Sequence, residues 1–375
     1  MPTTSEPWKV GVLFSRSGFL ALIEETQYRG TMVAIDEINQ AGGVNGREIV
    51  ACHYDPASDN QLFRAHSRRL LAEDGVRTIF GCYASSSRKA VLPIVERLNG
   101  LLWYPTLYEG FEYSPNIIYT GAAPNQNSVA LCEYLAETYG NRFYFIGSDY
   151  IYPRESNRIM RDLIGSRGGE VVGEMYVSLK ARREEFLPIM RDVRRIQPDV
   201  IFSTVVGEPT VYLYQAFHDF GLSSKTTPIA SLTTTEAEIK AMGFDVGEGH
   251  ITAAPYFEGI EGERNEAFVR RYKQRYGEDE HTNMCVEAAY FQVHLFKSAL
   301  ELADSMDPDM LRPIVLGSSF DAPQGEVSIN PACSHANVWS RIGKADRLGR
   351  FRIMAQSKAQ VVADPFLTGF VQKPA

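Results

Sequence analysis

No stretch of this chain is apolar over the ~20 residues that a membrane-spanning helix requires, so none is expected among its 375 residues. An excess of positive charge is lacking too. Lys and Arg total 38 against 46 Asp and Glu, a formal net charge of −8, which argues against a direct nucleic-acid footprint. Cysteines are few and scattered. Cys52, Cys82, Cys132, Cys285 and Cys333 form neither a disulfide framework nor a zinc spacing, and a reducing compartment is the simpler reading. The seven histidines contain no His-Glu-x-x-His. Gly-x-Gly-x-x-Gly, the P-loop pattern, and Gly-x-Ser-x-Gly around Ser85 or Ser148 are missing as well. Metal, nucleotide and serine-hydrolase chemistry therefore have no local signature, and no cofactor is called for. The amino terminus, Met1-Pro2-Thr3-Thr4-Ser5-Glu6, has no basic n-region and no apolar h-region, so a cytoplasmic start is expected.

What is present is an alternation of strand and helix patterns. Val10 to Phe14, Glu48 to Tyr54, Arg77 to Gly81 and Leu101 to Tyr104 read as strands. Helical spacing over Tyr28 to Gln40, Asn60 to Asp74 and Ser87 to Leu98 separates them. That order predicts a parallel sheet with helices on both faces. After Pro124-Asn125-Gln126-Asn127-Ser128 the pattern restarts and runs to a strand at Pro228 to Ser231. Another strand or crossover is read at His250 to Tyr256, then helices at Arg264 to Tyr276 and Asn283 to Ala303. Links near residues 121–125 and 253 suggest two similar lobes. Two strand ends stand out. Gly81-Cys82-Tyr83-Ala84-Ser85-Ser86-Ser87-Arg88 and Tyr104-Pro105-Thr106-Leu107-Tyr108-Glu109-Gly110 turn over small hydroxyls and tyrosines. Ligands of open α/β sheets bind outside the carboxyl ends of the strands. With no lysine or metal-ligand pair there, Tyr83, Ser85, Tyr104 and Thr106 describe a pocket for a small neutral polar molecule.

Longer stretches carry a resemblance. Gly42-Gly43-Val44-Asn45-Gly46 and the strand–helix order resemble the branched-chain amino-acid type of bilobed solute-binding protein. Ser87-Arg88-Lys89-Ala90-Val91-Leu92-Pro93, Ser114-Pro115-Asn116-Ile117, Ala123-Pro124-Asn125-Gln126 and Gly147-Ser148-Asp149-Tyr150-Ile151-Tyr152-Pro153-Arg154 are similar to its amide- and urea-binding branch. Phe202-Ser203-Thr204-Val205-Val206-Gly207, Ile229-Ala230-Ser231-Leu232-Thr233-Thr234-Thr235-Glu236 and Asp321-Ala322-Pro323-Gln324-Gly325 resemble the AmiC-type amide sensors, the negative regulators of aliphatic amidase operons.

The resemblance implies an α/β, type I periplasmic-binding-protein fold: two doubly wound parallel-sheet lobes joined by three crossovers. The lobes would be residues 8–121 plus 254–328, and 122–253 plus 329–375. The implied function is cytoplasmic sensing of short aliphatic amides or urea in an interlobe cleft. The ligand would control an RNA-binding antiterminator partner, and self-association accompanies such sensors. The alternative is the substrate-binding component of a urea or short-chain amide ABC transporter. The implied pocket takes Tyr83, Ser85, Tyr104 and Thr106 from the first lobe and Tyr150, Val206 and Thr233 from the second. Leu107 departs from the sensor pattern, which has proline there, and so bears on which amide fits.

Each residue also has a plain structural reading. Ser85, Ser86 and Ser87 suit a helix cap, and Tyr104 suits a core. Thr233 and Glu236 have capping-box spacing, and Tyr150 and Tyr152 suit an exposed turn. Arg88 and Lys89 read as solvated helix charges, and Cys82 as a small buried hydrophobe. A cysteine amidase is the enzymatic rival, but Cys82 has no Glu or Lys placed with it in these motifs, and no catalysis is expected.

Overall fold

The computed structural model describes residues 6–370. Its described residues divide into two compact units: unit 1 is 6–107, Glu112–Ala122 and Gly262–Val338; unit 2 is Tyr108–Phe111, Ala123–Glu261 and 339–370. Apart from the short Tyr108–Phe111 excursion, the chain passes between them after Ala122, Glu261 and Val338.

Following the chain, β1 (Trp8–Leu13), α1 (Ala21–Gln40), β2 (Ile49–His53), α2 (Asn60–Ala72), β3 (Thr78–Gly81), α3 (Ser85–Arg97), β4 (Leu101–Tyr104) and β5 (Ile117–Tyr119) build unit 1. In unit 2 come α4 (Pro124–Thr138), β6 (Arg142–Ser148), α5 (Ile151–Gly165), β7 (Glu170–Val177), α6 (Arg183–Ile196), β8 (Val200–Thr204) and α7 (Glu208–Asp219). They are followed by β9 (Ile229–Ser231), α8 (Glu236–Met242), α9 (Phe244–Gly247) and β10 (Ile251–Ala254). The chain re-enters unit 1 with α10 (Glu263–Tyr276), α11 (Met284–Ala303), α12 (Pro308–Val315), β11 (Ser319–Ala322), β12 (Gly325–Asn330) and β13 (His335–Asn337). It ends in unit 2 with β14 (Arg341–Ala345) and β15 (Phe351–Gln356).

Unit 1 carries an eight-stranded sheet in the order β11-β12-β13-β5-β4-β3-β1-β2. Its strands are parallel from β2 to β13, and β12 and β11 add antiparallel at the edge. Unit 2 carries a seven-stranded sheet in the order β15-β14-β10-β9-β8-β6-β7. Strands β7 to β10 are parallel, and β14 and β15 are antiparallel. Both sheets are thus mixed rather than wholly parallel. The parallel strands are nearly continuous apolar runs because both faces are covered: every residue of β3, β4, β5 and β8 is buried.

The expected lobe boundaries shift. Residues 329–338 belong to unit 1, because β13 pairs with β12 and, in parallel, with β5. Residues 254–261 stay in unit 2, where the Glu258 amide donates to Glu236. Tyr108–Phe111 joins unit 2 through a bond from the Phe111 amide to the Pro365 carbonyl at 2.9 Å. The assignment of residues 371–375 lies outside the described residues.

In unit 1, Phe80, Trp103 and Phe296 form an edge-on and tilted cluster with ring centroids 5.4–6.2 Å apart. Such pairs add about 0.5–1.5 kcal/mol beyond area burial. Helices α1 and α11 approach so closely that a Cβ at Gly30 would lie 2.2 Å from the Val286 carbonyl oxygen; only glycine fits there. None of the described helices is long and apolar enough to cross a membrane.

Candidate functional site

In each sheet the chain order reverses at one place. In unit 1, β1 leads to β2 on one side, and β3 and β4 then build on the other. In unit 2, β6 leads to β7, and β8 and β9 build on the opposite side. The crevice beyond such a reversal is where open α/β sheets bind ligands. The expected site residues fall at the carboxyl ends of β3 and β4 in unit 1 and of β6, β8 and β9 in unit 2.

At the unit 1 reversal, the Cys82 amide donates to the Leu13 carbonyl at 3.0 Å, joining the ends of β3 and β1. Cys82 has φ +70°, a left-handed conformation uncommon for a side-chain-bearing residue. The chain turns there, so that buried Tyr83 precedes α3, which starts at Ser85. Ala84 is the N-cap and no side chain caps the helix. The serines are therefore not its cap. Instead the Ser87 hydroxyl donates back to the Ala84 carbonyl at 2.8 Å.

Arg88 overturns its sequence reading. It is wholly buried rather than solvated. Its Nε lies 2.6 Å from Glu112 Oε1, its Nη1 donates to Ser85 Oγ at 3.3 Å, and its guanidinium lies 4.8 Å from the Tyr104 ring centroid. Burial alone would raise the Glu112 carboxyl, but Arg88 and Lys89 outweigh it and hold Glu112 at about 2. Lys89 pairs with the same carboxylate at 2.9 Å from a partly exposed position.

Tyr104 and Thr106 are braces. The Tyr104 hydroxyl donates to the Tyr83 carbonyl at 2.6 Å. The Thr106 hydroxyl donates to the Cys82 carbonyl at 3.3 Å and accepts from Gln27 Nε2 at 2.8 Å. Leu107 is buried beside them, and a Cβ at Gly121 would fall 2.4 Å from its amide nitrogen. Sequence reasoning missed Gln27 and Glu24, both fully buried on α1. Their signal was available: with Thr26 and Thr31 they are polar residues on the buried face of a helix that also presents Ile23, Val33 and Ile35 to the core.

In unit 2, Tyr150 is half-buried as the N-cap residue of α5, while Tyr152 is buried rather than exposed. The Val206 amide donates to Ser148 Oγ at 3.2 Å, tying the ends of β8 and β6 across the reversal. The Thr233 hydroxyl donates to the Val205 carbonyl at 3.2 Å, and the Thr233 amide donates to Ser231 Oγ at 3.0 Å. Thr233 is not a capping residue. The capping box is Thr235 with Glu238, whose carboxylate takes the Thr235 amide at 2.9 Å.

The eight expected residues thus form two sets: Tyr83, Ser85, Tyr104, Thr106 and Leu107 on unit 1, and Tyr150, Val206 and Thr233 on unit 2. No group of three or more His, Cys, Asp or Glu that would hold a metal occurs among the described residues. Cys82 is a poor nucleophile, since burial and the neighbouring Glu24 push its thiol well above the usual range. All five cysteines are free thiols.

Residues 8–371 match the family described as periplasmic binding protein domain. A Leu/Ile/Val-binding protein homolog 8 of Brucella abortus (strain 2308) is 40% identical over 96 residues, which is 26% of this chain and 23% of that protein. The aligned stretch thus spans about a quarter of that relative's length. A leucine-, isoleucine-, valine-, threonine- and alanine-binding protein of Pseudomonas aeruginosa is 23% identical over 335 residues, 86% of this chain and 85% of that one. Among solved structures, a solute-binding protein of an ABC transporter from Rhodopseudomonas palustris HaA2, in complex with p-hydroxybenzoic acid, superposes with a TM-score of 0.86. It is 24% identical and covers 95% of this chain and 98% of its own. The branched-chain amino acid transporter substrate-binding protein LivJ of Streptococcus pneumoniae, in complex with isoleucine, has a TM-score of 0.83, 17% identity, and coverage of 94% and 99%. At these identities the structures establish a shared fold. With the family match spanning almost the whole described chain, this protein is a member of the periplasmic binding protein family.

Proposed function

We propose that this protein is a receptor for a small uncharged polar solute, a short amide or urea, held by groups at the strand ends. The observation that carries this reading is the chemistry at the two reversals. Buried hydroxyls and amides crowd the strand ends, and the buried cation there, Arg88, is paired with Glu112. A primary amide brings one acceptor and two N–H donors, and urea one acceptor and four donors. Each needs partners once buried, since an unsatisfied polar group costs about 1–3 kcal/mol. The raised Cys82 thiol supports binding rather than covalent chemistry.

The biological setting follows from the relatives. Those named above are described as binding proteins, one of an ABC transporter and one of a branched-chain amino acid transporter, which favours the substrate-binding component of a transport system. Regulation is the second reading, favoured by the Phe202-to-Gly207 and Ile229-to-Glu236 stretches. In that reading the protein is cytoplasmic and releases an RNA-binding antiterminator when the amide binds. Either role requires the ligand to bind one conformation better than another.

Replacing Ser85 by Leu tests the unit 1 set, and replacing Thr233 by Leu tests the unit 2 set. The proposal expects each to lower acetamide affinity at least tenfold by calorimetry, with a cooperative thermal melt retained. Unchanged affinity in either variant removes that set from the site. Release of a bound RNA-binding protein by acetamide would select regulation over transport.

A further inference from the structure

We propose that Glu24 and Gln27 of α1 recognise the head of the solute as a donor–acceptor pair, selecting a primary amide or urea over the isosteric carboxylate. The inference rests on the reading that the unit 1 strand ends hold the solute.

Three residues apart, the two side chains share a helix face. Both are fully buried at the β1 and β4 ends. Glu24 Oε2 accepts the Ser15 amide at 2.5 Å. Gln27 Nε2 donates to the Pro105 carbonyl at 3.1 Å and to Thr106 Oγ1 at 2.8 Å. The Pro105 carbonyl can only accept, so the Gln27 amide has one permitted orientation and its oxygen points the other way. Glu24 Oε1 and Gln27 Oε1 are both buried without a hydrogen-bond partner among the described residues. Buried polar atoms of this kind are almost always satisfied in the working protein.

The two oxygens differ in role. Burial raises the Glu24 carboxyl to about 8 against the opposing bonds from Ser15, and Asp55 adds to the rise. The buried Cys82 thiol interacts with the same carboxyl. At neutral pH Glu24 is therefore mostly protonated. With Oε2 already accepting from Ser15, the proton belongs on Oε1. Glu24 thus offers an O–H and Gln27 offers a carbonyl. A primary amide presents the complement, a carbonyl to Glu24 and an N–H to Gln27. A carboxylate of the same shape places an oxygen against the Gln27 oxygen, and unpaired buried groups of that sort give large discrimination.

The test titrates the full-length protein and two variants, Glu24→Leu and Glu24→Gln, with acetamide, urea and acetate; leucine and 4-hydroxybenzoate complete the wild-type panel. The expected result is acetamide bound at least tenfold tighter than acetate, a loss of at least tenfold in Glu24→Leu, and partial recovery in Glu24→Gln. Wild-type acetamide affinity should also fall between pH 7 and 9, and that fall should vanish in Glu24→Gln. Should Glu24→Leu not fold, the pH profile of Glu24→Gln decides, because a fall equal to the wild type's overturns the inference. Acetate binding as tightly as acetamide, or unaltered acetamide affinity in a folded Glu24→Leu, overturns it while leaving a solute receptor; the two oxygens then belong to an internal water. Silence of the wild type toward all five solutes overturns the proposed ligand class and this inference with it.

Discussion

Arg88 and Glu112 form an ion pair at 2.6 Å in which the guanidinium is wholly buried and the carboxylate nearly so. The same guanidinium donates to Ser85 Oγ and lies over the ring of Tyr104. One buried cation therefore sets the position of a site hydroxyl and of the tyrosine bracing the Tyr83 carbonyl. Removing one partner of a fully buried pair costs about 3–5 kcal/mol, and here less, because Glu112 keeps Lys89 at 2.9 Å. Arg88→Met should lower stability by about 1–3 kcal/mol in urea denaturation. Arg88→Met combined with Glu112→Gln should recover part of it, since the carboxylate then no longer depends on Lys89 alone. A loss below about 1 kcal/mol in the single variant would mean that the pair does not organise the β3 end.

Gly121 is required by close approach. A Cβ there would lie 2.0 Å from the Thr106 carbonyl carbon and 2.4 Å from the Leu107 nitrogen. Both are backbone atoms, so Gly121→Ala must move the Thr106–Leu107 segment or Gly121 itself. Overpacking of this kind costs about 1–3 kcal/mol. Thermal denaturation should show that loss, and acetamide affinity should fall with it; an unaltered melting temperature would contradict the geometry.

The pH dependence of stability has two limbs of opposite sign. Burial lifts Glu24 and Glu236 to about 8 and Glu238 to about 7, against local hydrogen bonds, from an ordinary 4.5. Their contribution is full below 4.5 and is lost as pH rises through 7 and 8. Burial lowers His250 to about 3, and His294 and His335 to about 4, from 6.5. That contribution is full above 6.5 and is lost as pH falls toward 4 and 3. Glu112, held at about 2, adds a loss between 4.5 and 2. Above 6.5 only the raised carboxyls among these groups operate. Melting temperatures measured from pH 3 to 9 should therefore fall toward both ends, and a steady rise from pH 6.5 to 9 would contradict the assignment.

Much of the fold was legible because parallel strands buried on both faces leave uninterrupted apolar runs; Leu101–Tyr104 and Val200–Thr204 fall where expected. What escaped was polar. The first helix was read from Tyr28, whereas α1 starts at Ala21. Its first turns bury Glu24, Thr26 and Gln27, which break the apolar period. Arg88 escaped similarly, because its partner Glu112 lies 24 residues away and no local spacing links them. Strands β11 to β15 also escaped. Half-exposed edge strands such as Phe351–Gln356, where only Phe351 is buried, lack both an uninterrupted apolar run and a clean alternation. Of these departures, Glu24, Gln27 and Arg88 lie beside the candidate site, as expected of functional positions.

The most direct test of the central claim is calorimetric titration of the wild-type protein with acetamide, propionamide, butyramide, urea, acetate and leucine at pH 7. The account predicts that a short amide or urea binds best, acetate at least tenfold more weakly, and leucine not at all. Binding led by leucine or by acetate would contradict recognition of an uncharged amide head.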